Sequence, residues 1–266
     1  MPELHFCDGG PLTAQYLLVV DSLNFCFWPD AELQYEHLAG GVKCLQGPRC
    51  ISAARLAEID GPGVQQLLGW HRELPEQDER ARLLREVGAG LLQHFQGQAA
   101  ELVTAAGQSA VALVQLLTAH FPGFRDHSIY KGRQVFFYKR AQIFVGDVYG
   151  AFAGKGLGCF HDVDQLTMFA DYRVPVVLRL MGLLQYSPEL QQQVEGMQEL
   201  ASGSEAEIEL RAASIVAVEL LKDAANAQLL QPPQLLSIQL DWWLWHEGER
   251  MRAQHPPHHR TMTIYY

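Results

Sequence analysis

The sequence predicts a mainly α-helical protein. Apolar residues recur at spacings of three and four through most of the chain, whereas segments with the alternating period of a β-strand are few and short. Hydrophobic residues make up 48% of the 266 residues and charged residues 19%, a balance typical of a folded globular chain with a sizeable core. We expect a single domain that spans residues 1–266, since no linker, internal repeat or low-complexity tract divides the sequence.

Four segments carry the helical period most clearly. In each, the apolar side chains fall on one face and polar side chains lie between them, as in a helix packed on a core. Pro233 lies where a first-turn proline would open the last of these helices. The predicted helices cover residues 79–95, 109–121, 208–221 and 233–242.

Two segments look like short β-hairpins. One covers residues 130–137, and the other covers residues 33–45 around Gly40-Gly41. Glycine permits the tight turn that joins two antiparallel strands. Both segments are too short to form a main sheet, so we expect them at the edge of the helical domain.

The net charge limits the kinds of ligand that we expect the protein to bind. The chain has 20 Lys and Arg against 30 Asp and Glu, and a net charge of −10 argues against binding to duplex nucleic acid through its phosphates. A local basic pocket for one phosphate stays compatible with this charge.

The five cysteines, odd in number and without C-x-x-C spacing, indicate free thiols in the reducing cytosol. We expect a cytoplasmic protein without a membrane partner, since the chain shows neither a secretory signal nor an apolar run of the ~20 residues that a membrane helix needs.

The sequence predicts no metal and no cofactor. His255, His258 and His259 follow Pro256-Pro257 without the H-x-x-x-H spacing or the cysteine partners of a zinc site. The chain also lacks a G-x-S-x-G elbow and a dinucleotide-binding fingerprint.

An aromatic segment near the beginning of the chain, residues 21–28, allows two interpretations. Its aromatic rings are suited to stacking on a planar base, and Asn24 or Asp21 to hydrogen bonding with the edge of that base. The alternative is a core segment whose polar side chains cap a helix or close a turn. Composition alone favours the core segment.

Asp241 stands among three of the five tryptophans of the chain, in residues 240–246. A carboxyl group in such surroundings has a raised pKa, which suits a general acid or base. His246 lies five residues further on, or about 140° around a helix, so both side chains reach one cavity only if it is broad. The structural alternative is an Asp whose side chain accepts a backbone N–H.

Asp171 and Phe169 lie just before a predicted helix start at Pro175. A carboxylate and a ring in this position suit contact with a ligand, while an Asp before a helix is also a common N-cap. The sequence favours neither interpretation over the other.

Lys139 and Arg140 are adjacent cations at the start of an apolar segment. In so acidic a chain, the pair is suited to holding a phosphate. The alternative is a solvated pair at the beginning of a helix.

The segment Asp21-Ser22-Leu23-Asn24-Phe25-Cys26-Phe27-Trp28 resembles the D-[ST]-L-N-F-x-F-W signature of the queuosine salvage family. Further stretches match in the same order, and the resemblance covers nearly the whole chain. These stretches are residues 137–143, 168–175, 207–211, 240–245, 258–259 and 264–266.

The resemblance implies a hydrolase that cleaves the N-glycosidic bond of queuosine 5′-phosphate. The products would be ribose 5-phosphate and queuine, the 7-deazaguanine base that is later placed in tRNA. The resemblance also implies a helical fold similar to that of the DNA glycosylases. Two alternatives belong to other classes: a DNA base-excision glycosylase, which the negative charge disfavours, and a non-catalytic protein that binds queuine or a nucleotide.

The resemblance further implies roles for single residues. Asp171 and Asp241 are expected to be catalytic, one at the ribose and one at the base, in an order that the sequence leaves open. His246 stands where other members of the family often have Asp. The residues expected to bind substrate are His5, Asn24, Lys139, Phe169, Asp171, Asp241, Trp242 and His246. The assignment of Lys139 to the phosphate follows from its positive charge and is not carried over from the family.

Overall fold

A computed structural model describes residues 4–44, 50–229, 234–250 and 252–266. Helices dominate these residues, which confirms the mainly α-helical prediction. Their contacts group the chain into two compact units, and the single-domain organisation stays a prediction. The first unit comprises Met1–Arg125, Arg140–Val163 and Tyr265; the second comprises Asp126–Lys139, Asp164–Ile264 and Tyr266.

The first unit is built around helix α1, Pro11–Ser22, whose residues 13–22 are all buried. A helix that is buried on every side lies at the centre of a core, and here α5 and α6 are among the helices that pack on it. The helices of this unit are α1, α2 (Tyr35–Cys44), α3 (Ala53–Leu56), α4 (Gly61–Leu68), α5 (Gln77–His94), α6 (Ala99–Ala105), α7 (Ala110–His120) and, from Arg140 onward, α8 (Lys139–Ala151). Single 3₁₀ turns follow at Pro122–Phe124 and Gly156–Gly158.

The hairpin predicted at residues 33–45 is wrong, because residues 35–44 of this segment form helix α2. Leu38 and Val42 are buried at a spacing of four, the period of a helix face. Gly41 lies against α4, where an added Cβ would stand 2.4 Å from the carbonyl oxygen of Leu68. The glycine therefore permits close helix packing and does not form a turn.

The second unit combines the one hairpin found among the described residues with four helices. Its elements are β1 (His127–Tyr130), β2 (Arg133–Phe136), α9 (Val174–Leu180), α10 (Pro188–Glu195), α11 (Glu205–Gln228) and α12 (Ser237–Arg250), with 3₁₀ turns at Val163–Gln165 and Arg252–Gln254. The strands pair antiparallel, with His127 opposite Phe136. The hairpin predicted at residues 130–137 is therefore present, but it covers residues 127–136 and begins three residues earlier than predicted. Lys131 and Gly132 both have positive φ, as the two-residue turn of a hairpin requires.

Helices α9, α11 and α12 pack on one another and enclose the core of the second unit. Pro233, the predicted helix opener, lies outside the described residues, and α12 begins at Ser237. The buried side chains of this core include Val177, Leu178, Ile208, Val218, Leu240 and Leu244. No helix in the described parts of the chain combines the length and apolarity needed to cross a membrane.

Candidate functional site

Asp241 is held against the segment that precedes α9. It lies on the buried side of α12 and is 4% exposed. Its Oδ1 atom accepts a hydrogen bond from the backbone N–H of Phe169, with a distance of 2.9 Å between the two atoms. This is the backbone contact that the structural interpretation of Asp241 predicts, and it also places the carboxylate directly beside Phe169, whose ring is buried.

Asp171 caps the first turn of α9. Its Oδ1 atom accepts the backbone N–H groups of Arg173 and Val174, each at 2.9 Å, so the capping interpretation is confirmed. Burial raises the pKa of the Asp171 carboxyl, although the positive charge of Lys139 and the two amide contacts act in the opposite direction. The carboxyl group therefore takes up a proton at a higher pH than an ordinary Asp does, which is the property of a group that exchanges protons in a reaction.

Lys139 is the first residue of α8 and is only 5% exposed. Its backbone N–H donates to Oδ2 of Asp126 at 3.0 Å, and its ammonium group acts electrostatically on Asp171. Arg140 is buried as well, and donates to the carbonyl oxygens of Ser22, at 2.5 Å, and of Gly123. The alternative of a solvated pair is therefore wrong for both cations.

The remaining predicted residues of the second unit lie in different surroundings. Trp242 is partly buried, whereas His246 is exposed and projects from another side of α12 than Asp241 does. The structure thus brings Phe169 to Asp241 and the charge of Lys139 to Asp171, but it does not bring His246 to Asp241. Substrate contacts of these residues stay predictions.

In the first unit, His5 contacts a tyrosine. Its Nε2 atom lies 2.9 Å from the hydroxyl oxygen of Tyr35, and its ring meets those of Tyr16 and Tyr35 edge-on. Burial, together with nearby positive charge, lowers the pKa of His5 to about 4, so the ring is neutral near pH 7. A neutral imidazole both donates and accepts hydrogen bonds, as the recognition of a polar ligand requires.

Asn24 lies in the aromatic segment 21–28 and is 8% exposed. Phe25 and Phe27 are buried, as the core interpretation of this segment predicts, and Trp28 is partly buried. Arg80 holds the backbone on both sides of Asn24, because its guanidinium group donates to the carbonyl oxygens of Leu23, Phe25 and Cys26 at 2.7, 2.7 and 3.1 Å.

The sequence-based prediction missed Asp126 and Arg211. The two guanidinium Nη atoms of Arg211 donate to the two carboxylate oxygens of Asp126 at 2.9 and 2.6 Å, and both side chains are 2% exposed. One signal for Arg211 was available: it stands three residues after Ile208 and seven before Val218, on the apolar face of a predicted helix, where a cation must have a buried partner. No sequence spacing pointed to Asp126, which lies 85 residues away.

The fold and the site thus define a helical protein in which two carboxylates, one of them with a raised pKa, and a buried lysine lie in one compact unit. No group of three or more side chains suited to a metal ion occurs among the described residues.

The chain belongs to the queuosine salvage protein family, whose model matches residues 4–266, and this confirms the family resemblance seen in the sequence. Three relatives carry the name queuosine 5′-phosphate N-glycosylase/hydrolase. The relative from Dictyostelium discoideum is 49% identical over 98% of this chain and 84% of its own. Those from Sphaerobacter thermophilus and Mus musculus are 45% and 36% identical, over 99% and 94% of this chain and 84% and 81% of their own.

Proposed function

We propose that this protein hydrolyses the N-glycosidic bond of queuosine 5′-phosphate and releases queuine and ribose 5-phosphate. The observation that carries the proposal is its membership of a family whose relatives, similar over nearly the whole chain, are named for this reaction. Two carboxylates and a buried cation in one unit are the groups that the reaction needs, as the chemistry of the bond makes clear.

Breaking the bond leaves positive charge on the sugar. As the base departs, C1′ and O4′ of the ribose take on oxocarbenium character, as in other glycoside hydrolyses. A carboxylate next to C1′ stabilises this charge and orients or deprotonates the attacking water. This is the role that we assign to either Asp171 or Asp241.

The departing base also has to be stabilised. A 7-deazapurine has no N7, so the protonation of N7 that helps an ordinary purine to leave is closed to it. The guanine-like edge remains, with N1–H and an amino group as donors and O6 as an acceptor. A carboxylate pairs with the two donors, and we assign this role to the second aspartate. Phe169 and Trp242 are proposed to bind the base through their rings, and substrate contacts of His5, Asn24 and His246 stay predictions from the sequence.

Lys139 is proposed to bind the 5′-phosphate. A buried ammonium group in an acidic chain attracts one phosphate without creating the basic surface that duplex nucleic acid requires. We therefore propose a free nucleotide as the substrate and expect no retention on duplex DNA. A DNA glycosylase would instead retain duplex DNA, with an affinity that falls steeply as salt rises.

The direct test is incubation with queuosine 5′-phosphate and detection of free queuine by mass spectrometry. A catalyst releases many equivalents of base per protein molecule, whereas a carrier releases one equivalent at most. Asp171→Asn and Asp241→Asn are each expected to lower kcat by about 100-fold or more, because an amide can neither stabilise the cation nor take a proton. Asp223→Asn is the matched control, since Asp223 is 72% exposed on α11. Wild-type turnover in both site variants would overturn the assignment of the two aspartates.

The affinity of the same variants for queuine separates the two roles. The aspartate at the base contributes to product binding, so its Asn variant loses both turnover and affinity for queuine. The aspartate at the sugar contributes only when a ribose is present, so its variant keeps its affinity for queuine. Isothermal titration of the two Asn variants with queuine gives the answer, and equal losses in both would place both carboxylates at the base.

The pH profile tests the link between Lys139 and Asp171. The raised pKa of Asp171 is expected to place the acid limb of kcat/KM, which reports the free enzyme, above the range of an ordinary Asp, and the Lys139 charge lowers that pKa. Lys139→Met removes the charge, so the acid limb is expected to move to higher pH. Lys131→Met is the control, since Lys131 is 59% exposed on the hairpin, and it should leave the limb in place. An acid limb that stays or moves to lower pH in Lys139→Met would contradict the proposed link.

A further inference from the structure

Arg211 joins three separate segments of the second unit. Its Nε atom donates to the carbonyl oxygen of Ala170 at 3.1 Å, and Ala170 is the residue between Phe169 and Asp171. Its two Nη atoms bind the carboxylate of Asp126 in a bidentate pair. The guanidinium carbon also lies 4.0 Å from the ring centre of Phe137 and 4.3 Å from that of Tyr266.

Asp126 continues this network to Lys139. Its backbone carbonyl accepts the N–H groups of Phe137 and Tyr138 at 3.0 and 3.1 Å, and its Oδ2 atom accepts the N–H of Lys139 at 3.0 Å. Three successive backbone amides thus end on one aspartate. The backbone at Tyr138 has a φ of +50°, in the left-handed region that tyrosine rarely adopts, so these contacts hold the chain in a conformation it would not choose alone.

The guanidinium group of Arg211 therefore restrains the backbone of the residues that are proposed to bind the two ends of the substrate. Through Ala170 it holds the segment of Phe169 and Asp171, and through Asp126 it holds the backbone of Lys139. Both side chains of the pair are 2% exposed, where a guanidinium–carboxylate contact has a fixed geometry and little competition from water.

We propose that Arg211 and Asp126 are positioning residues that fix the Lys139 cation relative to the Asp171 carboxylate. The inference rests on the proposed function, because that function gives Lys139 and Asp171 a shared substrate. Arg211 and Asp126 act through the backbone and touch no reacting atom. A substrate with charge at one end and a scissile bond at the other requires both groups at a set distance, since small displacements of catalytic groups cost large factors in rate.

The test is a double-mutant cycle between Arg211→Lys and Lys139→Met, measured as kcat/KM for queuosine 5′-phosphate. Lysine keeps the charge but cannot bind Asp126 at two atoms and Ala170 at the same time. We expect Arg211→Lys to lower kcat/KM about tenfold or more, and the double variant to fall clearly short of the product of the two single effects. A lower fraction of folded protein alone would leave the effects multiplicative.

Asp126→Asn is the second variant, in case Arg211→Lys fails to fold. Asn keeps an acceptor for the backbone but loses the charge, so we expect the same coupling with Lys139→Met at a smaller size. Arg179→Lys is the matched control, because Arg179 also combines an ion pair, with Glu195 at 3.2 Å, and an aromatic contact, with Tyr186 at 4.2 Å. In the double variant of Arg179→Lys and Lys139→Met, the loss of kcat/KM should equal the product of the two single losses.

The outcomes separate the two proposals. If the wild-type protein releases queuine but the effects of both Arg211→Lys and Asp126→Asn multiply with that of Lys139→Met, the positioning role is overturned and the proposed function stays intact. Coupling in either variant, together with its absence in Arg179→Lys, supports the positioning role. A wild-type protein that releases no queuine overturns the proposed function and this inference with it.

Discussion

The two compact units hold their irregular segments with buried arginines, but with different partners. In the first unit, Arg80 and Arg140 donate to backbone carbonyl oxygens of Ser22, Leu23, Phe25 and Cys26, around Asn24. In the second unit, Arg211 donates to one carbonyl oxygen, that of Ala170, and pairs with the carboxylate of Asp126. Glu207 lies 3.5 Å from the same guanidinium group.

The two kinds of contact have different consequences for stability. A guanidinium group among carbonyl oxygens shapes a loop through hydrogen bonds to uncharged groups. A guanidinium group paired with carboxylates joins parts of the chain through charge, and its loss leaves those charges buried. We therefore expect the second unit to depend on its arginine more strongly.

The largest expected effect follows from removing one arginine in each unit. Arg211→Met leaves Asp126 and Glu207 buried without their cation, and should lower the free energy of unfolding at pH 7 by about 3–5 kcal/mol. Arg80→Met removes hydrogen bonds to carbonyl oxygens and contacts with the rings of Phe25 and Phe27, and should cost about 1–3 kcal/mol. Urea unfolding of both variants measures the two losses.

The next largest expected effect on stability concerns helix packing in the first unit, as distinct from its arginine contacts. Gly41→Ala places a methyl group 2.4 Å from the Leu68 carbonyl oxygen and should cost about 1–3 kcal/mol. Gly40→Ala is the matched control, because nothing lies within 4 Å of its added Cβ, and alanine in a helix should stabilise by about 0.5–1 kcal/mol. Thermal unfolding of the pair should therefore shift in opposite directions, and a shared direction would contradict the close packing of α2 on α4.

The smallest effect concerns His259, which is fully buried in the second unit. Burial, His258 and Arg211 lower the pKa of His259 to about 3. An unfolded His titrates near pH 6.5, so the stability gained from keeping the ring neutral is present above that pH and is lost as pH falls toward 3. Between pH 8 and pH 6 the loss should be about 1 kcal/mol. His259→Leu should flatten this dependence, whereas His161→Leu, at an exposed position, should not.

Much of the helical fold could be predicted because its signals are local. The period of residues 79–95 corresponds to α5, and that of residues 208–221 falls within α11. The failure at residues 33–45 has a physical cause. Gly40-Gly41 is equally compatible with a turn and with a helix, and the choice depends on Leu68, which only the folded chain brings near.

The candidate site was predictable where a residue type was unusual for its surroundings, as with Asp241 among tryptophans and Asp171 before a helix. The two interpretations of Asp171 are not exclusive, because a carboxylate that caps α9 still carries a raised pKa. The role of Asp126 could not be predicted, because it depends on the ion pair with Arg211 and on the hydrogen bond from the backbone N–H of Lys139. The sequence next to Asp126 indicates neither contact.

The positive φ of Tyr138 has a consequence for how this protein can vary over evolutionary time. The backbone there accepts glycine or asparagine with ease and excludes β-branched residues, whatever their polarity. Glycine would relieve the local strain, but it would also widen the range of conformations open to the residue before Lys139. The side chain at this position therefore sets the freedom of the main chain beside Lys139, and a strained tyrosine restricts that freedom more than glycine would.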